Sequence, residues 1–353
     1  MLRRTAVNAT LLLASLAAAL ALAEALLRLS GRVPAGRLHS VSAADFARIP
    51  GFWEPHQDFV NRGRPELPYQ IHINSLGLRG PETTQAPSGP RVLCLGDSFT
   101  FGEFVDDDQT LPAHLSARLP APVEVLNAGV LGTTIVDQSV FLPRLLALAP
   151  TLVLLIFCDN DLEDLLKTPP LHVRYAQHRQ LKSGPWRFVY AALRHTSLFS
   201  LYLKSQALTR EHRAAADIAP NPVSRLQELA LEYASHAAHL RHHLGGRGLD
   251  LLIATFPSAP TLTDHSGSDR VTLVLAALRN VGIEAVDLTI PLRQSGLSPN
   301  DLYLFPYDGH PAPQGYAIAA EALVPHVQSA LRRASREEAD RSMPVSHVPR
   351  TSP

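Results

Sequence analysis

The chain has 353 residues, of which 46% are hydrophobic and 18% charged, so it can bury a large core and is not globally disordered. Its 32 Lys and Arg residues balance 32 Asp and Glu residues, and this zero net charge gives no sign of nucleic-acid binding. The two cysteines, Cys94 and Cys158, lie inside or at the end of apolar runs, which is typical of buried free thiols. No paired Cys/His spacing in the sequence indicates a structural zinc site.

The N-terminus carries a candidate membrane segment. Two arginines precede a mainly apolar run from Thr5 to Leu27, which is long enough to span a bilayer, where about 20 residues are typical. A cleavable signal peptide is the alternative, because Ala21-Leu22-Ala23 matches a small-x-small cleavage pattern. We favour an uncleaved anchor because the apolar run continues past Glu24. Either interpretation exports the rest of the chain, and the anchored one predicts a single-pass protein with a periplasmic domain.

The composition changes along the chain predict four segments and one insertion. Residues 31–90 form a connecting pre-domain, in which Tyr69–Asn74 alternates like a strand and 75–80 carries turn signals. The predicted boundaries are 1–30 for the anchor or signal segment, 31–90 for the pre-domain, 91–333 for the main domain with an insertion at 162–220, and 334–353 for a disordered tail.

From Arg91 onward, short apolar runs alternate with helical patterns. The runs are Val92–Leu95, Val123–Leu126, Leu152–Phe157, Leu249–Thr255 and Ile283–Leu288, and the helices are predicted at 109–119, 136–148, 222–244, 270–281 and 313–333. Continuous apolar strands separated by helices are typical of a parallel sheet that is covered on both faces. The sequence therefore predicts an α/β domain with a five-stranded parallel sheet between two helical layers.

The insertion at 162–220 interrupts this alternation and is rich in aromatic and aliphatic residues, among them Trp186, Phe188 and Tyr202. One interpretation is an amphipathic helix that lies over the functional site or against the membrane surface. The other is ordinary packing of a satellite element against the main domain.

A candidate nucleophile follows the first strand of the main domain. Gly96 ends that strand and Ser98 comes directly after it, at the edge where parallel sheets collect reacting groups. The alternative is that Asp97 or Ser98 only caps the next helix. An ordinary α/β-hydrolase elbow, Gly-x-Ser-x-Gly, is excluded because Thr100 stands at the last glycine position.

Three later motifs also follow predicted strands or precede the last helix. Asn127–Gly132 offers glycine backbone N–H groups that can approach a ligand closely, although alone it is only a turn. Cys158–Asp161 contains Asn160, which is either an amide donor or a helix cap. Asp308–His310 contains a histidine and a carboxylate that can orient its ring, a pair that also arises by chance.

The order of these blocks resembles the SGNH hydrolases, the GDSL-like lipases and esterases. The matching blocks are GDSFTFG at 96–102, NAGVLG at 127–132, CDND at 158–161 and DGH at 308–310, and the resemblance spans about 91–333. INSLGLRG at 73–80, together with the N-terminal segment, is similar to a membrane-anchored bacterial branch of that family. The resemblance implies a flavodoxin-like sheet and a serine hydrolase that needs no metal or organic cofactor.

The resemblance also implies individual roles. Ser98 is expected to be the nucleophile and His310 the base, while the backbone N–H groups of Ser98 and Gly132 and the side chain of Asn160 form the oxyanion hole. Two departures stand out: Cys158 replaces a usual glycine, and Tyr307 occupies the position three residues before the histidine where the acid commonly stands. We therefore expect Asp308 to be the acid, with Asp301 as the alternative.

These expectations favour a serine esterase whose substrate is an ester, with O-acetyl groups on cell-envelope glycans as the candidate and an acylated lipid as another. An O-acyltransferase that acts on an exported polysaccharide is the first alternative, because it uses the same residues. A non-catalytic carbohydrate-binding module of an envelope assembly is the second. The expected partners are the substrate and the membrane, without nucleic acid, and the sequence does not determine the oligomeric state.

Overall fold

The main domain is built on a five-stranded parallel sheet, as the sequence predicts. The computed structural model describes residues 2–30, 38–41, 48–193, 196–218, 221–263 and 269–342. The strands of the sheet are β3 (Arg91–Leu95), β4 (Glu124–Asn127), β5 (Leu152–Cys158), β6 (Asp250–Phe256) and β7 (Ala285–Asp287). Each lies within three residues of its predicted bounds, and β5 is buried along its whole length, which explains its uninterrupted apolar sequence.

The strand order is β4-β3-β5-β6-β7. Counted from β3, this is the 2-1-3-4-5 order of flavodoxin-like sheets, in which ligands bind beyond the carboxyl ends of the strands where the order reverses. In the register, Cys94 of β3 lies opposite Asn127 of β4 and Leu154 of β5. The motifs after these three strands therefore meet at one edge of the sheet.

Helices cover both faces of the sheet. On one face the core joins Val153, Leu155 and Phe157 to helices α4, α9 and α11, and on the other Leu154 and Ile156 pack with α3, α12 and α14. These helices are α3 (Leu111–Arg118), α4 (Ile135–Leu145), α9 (Pro222–Gly245), α11 (Arg270–Asn280), α12 (Thr289–Gln294) and α14 (Pro313–Ser342). The shorter α2 (Ser98–Phe101), α5 (Asn160–Asp164), α10 (Ala259–Thr263) and α13 (Pro299–Leu302) lie close to the strand ends.

The pre-domain packs against the main domain through a hairpin and a buried arginine. Strands β1 (Gln57–Asn61) and β2 (Tyr69–Ile73) pair in antiparallel register. Arg79, only 3% exposed, donates hydrogen bonds to the carboxylate of Asp107 and to four backbone carbonyls, which include those of Phe101 and Gly102. Because a guanidinium has five N–H groups in a fixed fork, Arg79 locks the loop after α2 to the pre-domain.

The N-terminal segment and the insertion are helical. Helix α1 (Leu2–Leu29) contains the apolar stretch Val7–Leu29, whose mean hydropathy is 2.1 and whose length and composition suit a membrane span or a signal sequence. The insertion forms α6 (Leu171–Ser183), α7 (Arg187–Leu193) and α8 (Ser197–Ile218), and α8 contacts both α1 and α9.

The C-terminal end differs from the sequence-based expectation. Helix α14 continues to Ser342, whereas the sequence predicts a helix end at 333 and a disordered tail from 334. The extension is rich in Arg, Ala and Glu, which are strong helix formers, so local propensity outweighs its polarity. Residues 343–353 of the predicted tail lie outside the described residues.

Candidate active site

Ser98 lies at the turn between β3 and α2. Gly96 has φ +155°, and a Cβ on it would lie 2.0 Å from the Thr100 hydroxyl oxygen, so this turn requires glycine. Asp97 caps α2, because its carboxylate accepts the Phe99 N–H at 2.9 Å. Asp97 takes the capping role and Ser98 does not. The Ser98 hydroxyl has a long contact of 3.3 Å with Asp97 Oδ2 and faces the loop before α14.

Ser98, His310 and Asp308 form a continuous hydrogen-bonded chain. The Ser98 Oγ lies 2.8 Å from His310 Nε2, and His310 Nδ1 lies 2.5 Å from Asp308 Oδ1. The backbone N–H of His310 also donates to Asp308 Oδ1, at 3.0 Å, which fixes the carboxylate beside the ring. Residues 212 positions apart in sequence thus meet in the geometry of a nucleophile, a base and an orienting acid.

Asp301, the alternative acid, lies in the first turn of α13, where it caps that helix. Its carboxylate accepts hydrogen bonds from the backbone N–H and the hydroxyl of Ser298, at 3.0 and 2.6 Å, in the capping box of α13. Of the two aspartates considered from the sequence, the structure brings only Asp308 to the His310 ring.

Two further charged residues lie next to the hydrogen-bonded series Ser98–His310–Asp308, and neither was predicted from the sequence. Glu103 Oε2 lies 3.5 Å from His310 Nε2, on the side of the ring that faces Ser98. Arg64 Nη2 lies 3.0 Å from Asp308 Oδ2, and its guanidinium stacks over the Phe104 ring at 5.4 Å. Glu103 stands directly after the GDSFTFG motif, so its position in the sequence could have indicated a place in the site. Arg64 comes from the pre-domain, and no motif around it indicates a role in the site.

The carboxylates set the charge state of the histidine. Burial alone would lower the pKa of His310, but the hydrogen bond that its ring donates to Asp308 and the negative charges of Glu103, Asp308 and Asp97 outweigh burial and raise that pKa above its ordinary value. Burial tends to raise the pKa of Asp308, yet its hydrogen bond with His310 and the nearby Arg64 lower it. Asp308 is therefore held as a carboxylate that favours the imidazolium form of His310.

Asn160 and Cys158 lie beside Ser98 around the Asp97 carboxylate. The Asn160 Nδ2 donates to Asp97 Oδ2 at 3.2 Å and has a longer contact of 3.5 Å with Asp164 Oδ2. The Cys158 thiol lies 2.9 Å from the Asn160 side-chain oxygen and 3.1 Å from Asp97 Oδ2. The cysteine that replaces the usual glycine therefore helps to orient the Asn160 amide, and only the long Asp164 contact must break to free one N–H for a ligand.

Gly132 lies on the loop after β4, with φ +67° and an exposed backbone. This loop is fixed against the nucleophile turn, because the Val130 N–H and the Thr133 hydroxyl both donate to the Gly96 carbonyl, at 3.0 and 3.2 Å. Gly132 lines a small cavity adjacent to the main one, and the two cavities share Asp164 and Lys167. The structure thus places Gly132 beside the other site residues but not in the same cavity.

The main cavity has a volume of about 740 Å³ and opens onto Ser98, Asn160, Asp308 and His310. Seven of its 17 lining residues are Asp, Glu, Lys or Arg, among them Lys167 and Arg270. Its apolar lining comes from the last turns of α8, at Ala214, Ala215 and Ile218, and from Phe99 and Pro260. The space suits a small ligand that has both polar groups and an apolar part.

A metal site was not expected from the sequence. Within the described ranges, Asp97, Cys158 and Asp161 form a group whose potential ligand atoms lie within 4.8 Å of one another. Burial, together with the nearby carboxylates, raises the pKa of the Cys158 thiol well above its usual value, so the thiol stays protonated and acts as a hydrogen-bond donor. Hydrogen bonds account for this group, because the Cys158 thiol contacts Asn160 Oδ1 and Asp97 Oδ2, and Asp161 Oδ2 accepts the Cys158 backbone N–H.

Comparison with protein families decides the identity of the domain. The model of the GDSL-like lipase/acylhydrolase family matches residues 94–318, which is more than half of the chain and includes all the blocks described above. The chain belongs to the GDSL-like lipase/acylhydrolase family. As a GDSL-like protein it is a hydrolase that acts on ester bonds, and its resemblance to this family, predicted from the sequence, is confirmed.

Solved structures of similar fold include other GDSL-like proteins and acetylesterases. A member of the lipolytic G-D-S-L family from Veillonella parvula is 14% identical, with a TM-score of 0.34, and the match covers 67% of this chain and 97% of that one. A carbohydrate acetylesterase from Sinorhizobium meliloti is 15% identical, with a TM-score of 0.38 and coverages of 68% and 99%. A mutant acetyl-xylooligosaccharide esterase from Geobacillus is 16% identical, with a TM-score of 0.39 and coverages of 69% and 96%. No curated protein sequence matches the chain.

Proposed function

We propose that this GDSL-like hydrolase is a serine esterase in which Ser98, His310 and Asp308 act as one unit. The observation that carries the proposal is the chain of short contacts from Ser98 Oγ through His310 to Asp308, which opens into the polar cavity. A serine hydroxyl is a weak nucleophile until a base removes its proton, and His310 Nε2 is the base within reach.

In the proposed reaction, neutral His310 takes the Ser98 proton while Ser98 Oγ attacks the ester carbonyl carbon. The backbone N–H of Ser98 and the side-chain amide of Asn160 donate to the resulting oxyanion. The Gly132 N–H, the third donor that the family resemblance implies, joins them when the loop after β4 moves toward Ser98, because Gly132 lines the adjacent cavity in this structure. Asp308 stabilises the imidazolium, which then protonates the leaving alcohol as the ester C–O bond breaks. Water attacks the acyl-enzyme with His310 again as base, and this releases the acid and restores Ser98.

We further propose that the substrate is an O-acyl ester on a polar molecule, with an O-acetyl group on a cell-envelope glycan as the candidate. The charged side chains of the lining offer donors and acceptors for the hydroxyl groups of a glycan. The apolar part of the lining, which includes Phe99, Pro260 and the last turns of α8, can take a small acyl group.

A series of activated esters tests the substrate class. We expect kcat/KM to be highest for the acetyl ester and to fall roughly tenfold or more by the octanoyl ester, because a longer acyl chain would reach the charged residues of the lining. The purified protein should also release free acetate from an acetylated oligosaccharide, with Ser98→Ala as the background. A preference for octanoyl would contradict the glycan assignment, and transfer of the acetyl group to an added glycan would show an acyltransferase instead.

The pH dependence tests the role given to the histidine. Because attack requires neutral imidazole and the pKa of His310 is raised above 6.5, we expect kcat/KM to rise with pH with a midpoint above 6.5. Glu103→Gln removes a negative charge that stabilises the imidazolium, so the midpoint should fall, while Glu211→Gln, on the far side of the cavity, should not move it. An unchanged midpoint in Glu103→Gln would show that Glu103 does not raise the pKa of His310.

We propose that α1 stays attached as a single membrane anchor and that the catalytic domain is periplasmic. The apolar stretch Val7–Leu29 is exposed along its length, and Glu24 within it makes hydrogen bonds with the insertion, as expected of a segment that is retained. Alkaline phosphatase fused after Pro353 should be active, a cytoplasmic fluorescent protein at the same position should be dark, and deletion of 2–30 should reverse both results. The reversed pattern in the full chain would contradict this topology.

A further inference from the structure

The insertion holds a concentration of positive charge and exposed apolar side chains that the catalytic site does not use. Residues 171–210 include seven Lys and Arg residues and no Asp or Glu, although the whole chain has no net charge. On the described part of the same segment, the large apolar side chains that are well exposed include Trp186 (63%), Phe188 (70%), Leu201 (51%) and Tyr202 (55%). A cluster of exposed large apolar side chains is uncommon on a surface that faces only water, and it is typical of a binding surface.

These side chains belong to one packed unit. The Tyr190 ring of α7 contacts Phe199 of α8 edge-on at 5.9 Å, and Phe199 stacks with Tyr202 at 6.2 Å. The Arg187 guanidinium lies over the Phe188 ring at 4.6 Å. Basic and aromatic groups are therefore presented together by α7 and the first turns of α8, which we call the basic-aromatic face (residues 186–193 and 196–204).

The basic-aromatic face is tied to the end of the apolar helix α1. The Glu24 carboxylate accepts the backbone N–H groups of Ser197 and Leu198, at 2.8 and 3.0 Å, and so caps the start of α8. Glu24 is also paired with Arg28 at 2.7 Å. Since Glu24 lies five residues before Leu29, the contact falls about 7–8 Å inside the end of the helix, at the depth where a bilayer passes from hydrocarbon to headgroups.

We infer that the basic-aromatic face docks onto the membrane surface around the anchor, with its aromatic side chains among the headgroups and its Lys and Arg residues on anionic lipid phosphates. Trp and Tyr prefer this interface, and basic residues close to an anionic surface add to the attraction. The inference rests on the proposed retention of α1 as an anchor. In this arrangement helix α8 connects the membrane anchor to the active site, because its first turn contacts α1 and its last turns line the active-site cavity.

Tryptophan fluorescence tests the docking directly, because the chain has two tryptophans, Trp186 on the face and Trp53 in the core, 4% exposed. The full chain with Trp53→Phe is incorporated into nanodiscs of phosphatidylglycerol whose acyl chains are brominated near the headgroup. We expect Trp186 to lose emission and to shift to shorter wavelength. The matched variant Trp186→Phe keeps only Trp53, which should not be quenched.

The charge contribution is measured in the same way. Quenching of Trp186 should be weaker in phosphatidylcholine nanodiscs, and the double variant Arg187→Gln/Lys204→Gln should lose the difference between the two lipids. Equal quenching in both lipids would overturn the role of the basic residues. If the chain elutes with the nanodiscs but Trp186 is quenched only by aqueous iodide, the docking inference is wrong and the anchor stands. If the chain does not elute with them, the anchor fails and the docking with it.

Discussion

We expect replacement of either Ser98 or His310 by alanine to abolish nearly all esterase activity, and the double variant to be hardly worse than either single one. In the proposed reaction His310, whose Nε2 lies 2.8 Å from Ser98 Oγ, acts on a substrate that Ser98 has attacked, so neither residue is useful without the other. We expect each single change to lower kcat by roughly 10⁶-fold, with the remaining activity due to the oxyanion donors and substrate binding. The measurement is kcat for one activated acetyl ester in all three variants.

The folded state needs its own control in this experiment. Circular dichroism and thermal unfolding should be close to wild type for Ser98→Ala, since the hydroxyl is partly exposed and makes no core contact. Losses that multiply in the double variant would show that Ser98 and His310 do not share a proton, which would refute the proposed unit.

We expect replacement of Asp308 by asparagine to lower kcat by about 10⁴-fold and to leave KM near its normal value. The carboxylate, 2.5 Å from His310 Nδ1, accepts the ring N–H and thereby leaves Nε2 free to act as base. An asparagine amide can instead donate to His310 Nδ1, which favours the tautomer whose proton is on Nε2. In that tautomer Nε2 cannot accept the proton of the Ser98 hydroxyl. The raised pKa of His310 should also fall, because the hydrogen bond and charge that favour the imidazolium are lost.

Asp301→Asn is the matched control, because Asp301 binds Ser298 and not His310. We expect its activity to be within a factor of about two of wild type, as for a surface change remote from the site. Collapse in Asp301→Asn with near-normal Asp308→Asn would reverse the assignment, and normal activity in both would indicate a Ser–His dyad.

The sequence predicted those parts of the structure that depend on neighbouring residues in the chain. The buried strand before Ser98 is a continuous apolar run, and the alternation of such runs with helices determines the parallel sheet. Because the ends of parallel strands meet at one edge, the motifs at 96–102 and 158–161 could be placed together without knowing any distance. The positions of Ser98 and Asn160 at one edge follow from this topology, whereas the pairing of His310 with Ser98 was implied by the family resemblance, and the catalytic roles of all three remain predictions.

What the sequence could not give are contacts that depend on tertiary packing. Arg64 reaches Asp308 from the pre-domain, and a lone arginine in a loop carries no sign of such a partner. The choice between Asp308 and Asp301 depended on a capping box that only the folded chain reveals. The separation of Gly132 from the main cavity likewise depends on the path of the loop after β4, which hydrogen bonds to the Gly96 carbonyl hold in place.

The most direct test of the central claim, that Ser98 is the nucleophile of this esterase, is covalent labelling with a fluorophosphonate followed by mass mapping of the modified peptide. The account predicts one phosphonylated residue, Ser98, in the wild-type chain, strongly reduced labelling in His310→Ala and none in Ser98→Ala. Labelling of a different residue, or undiminished labelling of Ser98→Ala, would contradict it.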